Sequence, residues 1–494
     1  MDDSQFADVS TLLVTADNPA RGDFLGLDHR RCVALHNYLV RYAWTAEGGS
    51  LASLNGNNKT FFTTYGAAAE ALRERLDPSL AAFLHAALLP PDGLDDLDPA
   101  PFFYFVAGFC EPGEFFAREA ADLFDEPVDS LICLYYPNIG QGGEGGGGLL
   151  YHQGYHLAAV LMHMDDYDYV LPVEAHRELW HPLETVLSNW IQLIHLGKAQ
   201  VTASPRDTPG LYGSEKIGPW EWRPYSEAQV AACIDAWDRL CEAIETRISL
   251  VSGSNNNSTA ATNAVNPEPL LDPEILDAAS LPNPCFARSF LTHARRPLFH
   301  SIAPGLVLPP SDAAGFVAVQ PFTGLPRAHH TIPPVCLFPA AEGEPEVVLT
   351  LSSNPFCNDF RATTADSPVP SRVGAGVYSQ SVDRDACHDY AEEGFWLLLP
   401  YSFKSDWDAA EGARKSDGSL IARDRLADLF QHGYKPFGGD YYRPQRLERL
   451  FDCWCKLVDQ GIWSVGPQGV QGAIDTFTEA GTARWKDYLI SPTW

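Results

Sequence analysis

The sequence predicts an α+β fold, with a mixed α/β fold as the alternative, and three observations carry that expectation. Apolar residues recur at helical spacing in some segments and as short β-branched runs in others. The two kinds do not alternate in the regular order that builds a doubly wound parallel sheet, and 38 prolines fit many irregular connections.

In chain order, Asp28 to Trp44 is the first helix candidate, and Ser130 to Tyr136 is a strand bounded by turn residues. Pro182 suits the first position of a helix in which Leu183, Val186, Leu187, Trp190, Ile191 and Ile194 recur until Gly197. Ser226-x-x-Gln229 is a capping-box pattern, and Val230, Ile234, Trp237, Cys241, Ile244 and Ile248 form one face of the helix that follows. Strands are expected at Gly315 to Gln320, Val335 to Phe338, Glu346 to Leu351 and Phe395 to Pro400, and a helix at Ser419 to Phe430. A last helix begins near Pro444 and runs through Leu447, Leu450, Phe451, Trp454 and Leu457.

Two segments lack an apolar period: the glycine run from Gln141 to Gly148, and Ser252 to Asn266. The second divides the chain into a lobe of residues 1–251, carrying an acidic and aromatic site, a flexible loop of residues 252–266, and a lobe of residues 267–494 carrying a basic island. With 45% hydrophobic residues the chain can bury a large core. No stretch approaches the roughly 18 apolar residues of a membrane span, and the acidic start differs from a secretory leader, so no membrane partner and a cytoplasmic location are expected. Eleven scattered cysteines suggest core thiols and not a disulfide framework.

A formal charge of −30 repels polyanions, so a nucleic acid could be met only at a local cationic patch. Between Cys285 and Thr331 the sole acid is Asp312, against Arg288, Arg295, Arg296 and Arg327 with four histidines. The plain alternative is arginine stems lying over a polar surface.

Three segments could carry chemistry. Asp165, Asp166 and Asp168 bring close carboxylates together, which either attract a cation, whether metal, guanidinium or ammonium, or raise one pKa; a solvated turn is the alternative. His181, Glu184, Ser188 and His195 share a stripe distinct from the apolar helix face, with Glu174, Glu178 and Lys198 flanking it. Glu184 could act as a base and Ser188 as a nucleophile, or the stripe is the wet side of the helix. Trp220 and Trp222, beside Glu221, Arg223 and Tyr225, could line a recognition pocket or cap a core. No phosphate loop, zinc signature or nucleophile elbow is found.

Together, Asp165-Asp166-Tyr167-Asp168, the segment from His181 to Trp190, Ile217 to Trp222, Ala294-Arg295-Arg296-Pro297, Gly461 to Gly466 and Trp494 resemble the arginine-containing cyclodipeptide synthases of fungi. That resemblance implies an enzyme of specialised metabolism that joins arginine and a second amino acid, both delivered as aminoacyl-tRNAs, into a diketopiperazine. It implies no cofactor and no metal. The family's Asp-Asp-x-x-Glu motif falls on Asp165 and Asp166, but Tyr169 stands where the glutamate belongs, so Asp168 or Glu174 supplies the third carboxylate or the motif lies elsewhere. On this reading Asp165, Asp166, Asp168, Glu184 and Ser188 are catalytic, while Glu174, Trp220, Glu221, Trp222, Tyr225, Arg295 and Arg296 bind substrate. Asp165 or Asp166, Glu184 and Trp220 should then line one cavity, with Arg295 or Arg296 at its mouth. The rivals are a metal-dependent transferase or cyclase holding magnesium on the aspartates, and a non-catalytic binding or regulatory protein.

Overall fold

A computed structural model of the chain describes residues 9–20, 22, 26–56, 59–89, 102–116, 121–122, 124–138, 148–162, 172–202, 215–251, 268–356, 360, 369–385, 391–403, 412–439 and 443–494. Helices and several small sheets follow one another in mixed order, which is an α+β architecture, and no described sheet closes into a barrel.

The first half opens with α1 (His29–Ala46), α2 (Leu51–Gly56), α3 (Phe61–Glu70) and α4 (Pro78–Ala86). Asp28 caps α1 by accepting the Arg31 amide, so the helix begins one residue after its expected start. An antiparallel sheet follows in the order β1 (Val106–Phe109), β2 (Leu131–Pro137), β3 (Gly148–His152), β4 (Leu157–Leu161). β3 must begin with glycine: Gly148 has φ +103°, and a Cβ there would lie 2.1 Å from the Tyr135 carbonyl oxygen. Next come α5 (Leu183–His195) and a three-stranded sheet in which β7 (Trp220–Trp222) runs between β5 (Ala199–Val201) and β6 (Glu215–Ile217). Pro182 caps α5 from outside and does not occupy its first turn.

The second half holds α6 (Glu227–Val251), α7 (Pro273–Ala278), α8 (Phe286–His293), α9 (Ala313–Ala318) and α10 (Leu447–Asp459). Its strands are β8 (Ser301–Ala303), β9 (Leu306–Val307), β10 (Thr331–Ile332), β11 (Cys336–Pro339), β12 (Glu346–Val348), β13 (Arg372–Gly374), β14 (Gly376–Ser379), β15 (Val382–Asp383), β16 (Phe395–Leu398), β17 (Val465–Gly466) and β18 (Gly469–Val470). β11, β14 and β16 form one sheet, and β17, β18, β8 and β9 another. The capping box before α6 is real: the Ser226 amide donates to Gln229 Oε1 at 3.0 Å, and the Gln229 amide donates to Ser226 Oγ at 3.1 Å.

Two expected elements are corrected. Residues 313–318 are helical because Asp312 accepts the Gly315 amide at 2.8 Å and so caps a helix, where a short apolar run had suggested a strand. Ser419 to Phe430 is a series of turns and not a helix, since the Asp417 carboxylate takes both the amide and the hydroxyl of Ser419 and turns the chain there.

Apolar side chains form two clusters. One draws on residues 9–222 together with Phe437 and Trp494; the other draws on residues 230–490. α6 lies along α10 in the second, where Trp237 stacks on Phe338 at 5.2 Å and tilts against Phe451 at 5.3 Å. The changeover between the cores thus falls between Trp222 and Val230, ahead of the low-complexity loop, whose residues 252–266 lie outside the described ones.

Candidate functional site

Residues chosen from the sequence converge on two elements, α5 and β7, which both belong to the first core. On α5, Glu184 and Ser188 sit one turn apart on the face that meets α1. That face is dry. Glu184 is 3% exposed and Ser188 is 0% exposed, so the stripe is not the wet side of an amphipathic helix at these positions. Cys32 Sγ on α1 approaches Glu184 Oε2 at 3.7 Å, and Ser188 Oγ accepts the Val14 amide at 3.0 Å. Farther along the stripe His195 is exposed and its Nε2 lies 3.2 Å from Tyr38 Oη.

Burial pushes the Glu184 carboxyl up, and Asp28 adds to the push while Arg31 opposes it. The Arg31 guanidinium donates to the carbonyls of Leu12 at 2.7 Å, Pro19 at 3.1 Å and Asn18 at 3.1 Å. A carboxyl held in this way can accept a proton nearer neutral pH than a free glutamate can. His181, at the foot of α5, donates from Nε2 to the Glu178 carbonyl at 3.0 Å, and burial brings its imidazole down to about 4.

β7 carries the tryptophan pair into the core. Trp220 meets Phe103 edge-on at 5.0 Å and stacks on Tyr42 at 6.0 Å; Trp222 stacks on Tyr104 at 4.9 Å. Both are 0% exposed, and Glu221 between them is 2% exposed, so the tryptophans build core and line no open pocket among the described residues. Tyr225 is half-buried with its ring edge-on to Phe286 at 5.9 Å. Glu174 is exposed and accepts the Tyr155 hydroxyl at 2.7 Å.

The arginines expected at the mouth are engaged elsewhere. Arg295 grips Glu245 with both terminal nitrogens, at 2.8 and 3.0 Å, and reaches Asp238 with Nε at 3.2 Å. Arg296 donates to the carbonyls of Leu270 at 2.7 Å and Pro309 at 2.8 Å. Arg288 pairs with Asp277 at 2.7 Å. Arg288 and Arg295 are thus matched by acids from α7 and α6, which a window on residues 285–331 does not contain, while Arg296 is held by backbone carbonyls. Trp220 belongs to the first core, whereas Arg295 and Arg296 bond to groups of residues 238–309 in the second half. Asp165, Asp166 and Asp168 lie outside the described residues, and no group of three or more metal-ligating side chains occurs among those described.

Sequence reasoning missed a dense polar junction beside Trp222. Lys198 is 0% exposed; its Nζ donates to the Pro224 carbonyl at 2.8 Å, lies 3.0 Å from a Glu393 carboxylate oxygen and 5.2 Å from the Trp222 ring centre. Gln229 Nε2 donates to Glu393 Oε1 at 2.8 Å, which joins the cap of α6 to the ion pair. Arg443 also lies 5.2 Å from the Trp222 ring centre, and Arg446 lies 3.9 Å from the Trp494 ring. One signal was legible: Arg446 and Arg449 open an apolar-periodic helix, where the helix dipole disfavours positive charge.

Comparison with known proteins adds no relative: no family model, no curated protein and no solved structure matches the chain.

Proposed function

We propose that this chain is an enzyme of specialised metabolism that makes an arginine-containing cyclic dipeptide from aminoacyl-tRNAs, without cofactor or metal. The reading is supported by the likeness of the segments from Asp165 to Asp168, His181 to Trp190 and Ile217 to Trp222 to the arginine-containing cyclodipeptide synthases. The observation that carries it is the enclosed Glu184 within the second of those segments, whose raised carboxyl suits a base that deprotonates an attacking amine. Peptide-bond formation then needs the amine of one aminoacyl group to attack the ester carbonyl of the other, with the tRNA 3′ hydroxyl as leaving group. A second such attack closes the ring.

The internal contacts of Trp220, Trp222, Arg295 and Arg296 favour a second reading, a non-catalytic binding protein in which those motifs serve the fold. One assay separates the two. The purified chain is incubated with arginyl-tRNA charged beforehand and a mixture of other aminoacyl-tRNAs, with and without chelator, and the products are read by mass spectrometry. An arginine-containing diketopiperazine formed equally in both arms supports the enzyme; a product lost with chelator points to a metal-dependent transferase; no product leaves the binding protein.

A further inference from the structure

We propose that Cys110 and Cys133 are an oxidative modification site: a hydroperoxide converts the two thiols to a disulfide that clips the edge of the first sheet, and a thiol reductant opens it again. Cys110 directly follows the edge strand β1, and Cys133 lies within its neighbour β2. Both backbones are held in place, because the Cys110 amide donates to the Leu134 carbonyl at 3.2 Å and the Cys133 amide to the Phe115 carbonyl at 2.9 Å. The β2 register shifts between Cys133 and Tyr135, and such bulges re-aim side chains. The two sulfurs come within 2.9 Å of each other. Cysteines placed side by side on neighbouring strands can be bridged without backbone movement. Among the described residues no other two cysteine sulfurs are in contact.

Burial divides the two roles. Cys133 is 7% exposed and Cys110 is 0% exposed, so a reagent little larger than water meets Cys133 first and a bulky one is shut out. Burial and the neighbouring Cys133 push the Cys110 thiol up, which keeps it from reacting with peroxide on its own account. The Cys133 sulfur, as thiolate, attacks one peroxide oxygen; the O–O bond breaks, and the other oxygen leaves with the thiol proton as water. Cys133 is then a sulfenic acid. The Cys110 sulfur attacks the Cys133 sulfur, the S–O bond breaks, and the hydroxyl leaves with the Cys110 proton as a second water. The thiols together give up two protons and two electrons, which the peroxide takes. The bond would close a loop across a sequence separation of 23 residues, which restricts the unfolded chain and so stabilises the folded one. It would also fix a wall of the first core, since Phe109 and Tyr135, close to the two cysteines in sequence, both stack on His36.

The inference is independent of the cyclodipeptide reaction, because its test uses the full chain and no tRNA. Reduced protein is desalted, exposed to hydrogen peroxide in molar excess, quenched with N-ethylmaleimide and digested with trypsin. Mass spectrometry should find Leu76–Arg118 joined to Glu119–Arg177, lighter than their sum by two hydrogens and separated again by dithiothreitol. The oxidised chain should unfold at a higher urea concentration than the reduced one. Folded Cys110→Ser should stop at a Cys133 sulfenic acid that dimedone traps, whereas folded Cys133→Ser should keep Cys110 as an unmodified thiol. Absence of the joined peptides from the peroxide-treated native chain, or their appearance only after unfolding in urea, would overturn the proposal, as would dimedone on Cys110 in folded Cys133→Ser.

Discussion

Glu184 is solvated in an unfolded chain and enclosed in the folded one, and that difference fixes the direction of two effects. Its folded pKa is raised, so its contribution to stability is fully present below the unfolded pKa and is lost as pH rises through the folded value. Glu184→Gln keeps the shape and removes the charge, so the variant should unfold at a higher urea concentration than the wild type at pH 7 and at the same concentration near pH 3. His36 has the opposite sense. Its Nε2 lies 2.7 Å from the Leu88 carbonyl oxygen, which can only accept, so Nε2 donates and Nδ1 takes the Tyr135 hydroxyl at 2.7 Å. Burial brings that imidazole from 6.5 to about 4. Folding therefore loses support as pH falls from 6.5 to 4, by about 3 kcal/mol in all. His36→Phe should cost about 2–4 kcal/mol at pH 7, because two buried partners lose their match, and should flatten the decline in stability over that window. Urea unfolding between pH 4 and pH 7 reads both effects, and an unchanged slope in the variant would contradict the assignment.

Among the elements, those with a cap and a sustained period were legible. Asp28 opened α1, Ser226 and Gln229 opened α6, and the Leu450, Trp454 and Leu457 face marked α10. α9 was not, because six mostly apolar residues fit a strand as well as a helix until the Asp312 cap is weighed. The β5, β6 and β7 sheet escaped because strands of three residues carry too little alternation. The burial of Glu184 escaped for another reason: an amphipathic reading assumes one buried face, and α5 buries its apolar stripe in the core and, at Glu184 and Ser188, part of its polar stripe as well. Removing one cap tests how much α6 depends on it. Ser226→Ala should cost about 1 kcal/mol and speed hydrogen exchange in the first turn of α6, with the α10 amides unaffected. Unaltered exchange there would mean that contact with α10 alone holds the helix.

Across the whole molecule, polar groups join residues separated by up to half the length of the chain. Lys198 lies 195 residues from Glu393, and Trp190 Nε1 donates to the Phe437 carbonyl across 247 residues at 2.7 Å. No local pattern announces such pairs, which is why the site inferred from motifs placed its cations on Arg295 and Arg296 and overlooked Lys198 as a buried partner. Lys198→Met strands a buried carboxylate and should cost about 3–5 kcal/mol, whereas Lys198→Met combined with Glu393→Gln should recover most of the loss. A double-mutant cycle by chemical denaturation measures the difference, and simple additivity of the two changes would show that the pair is not coupled.

The chemistry proposed for the first core is reached most directly by following labelled arginine. With [14C]arginyl-tRNA as donor, the wild-type chain should release labelled diketopiperazine, ribonuclease treatment of the donor should abolish it, and folded Glu184→Gln should lower the rate at least 100-fold. Absence of labelled product from the wild-type chain, or full activity in Glu184→Gln, would contradict the account.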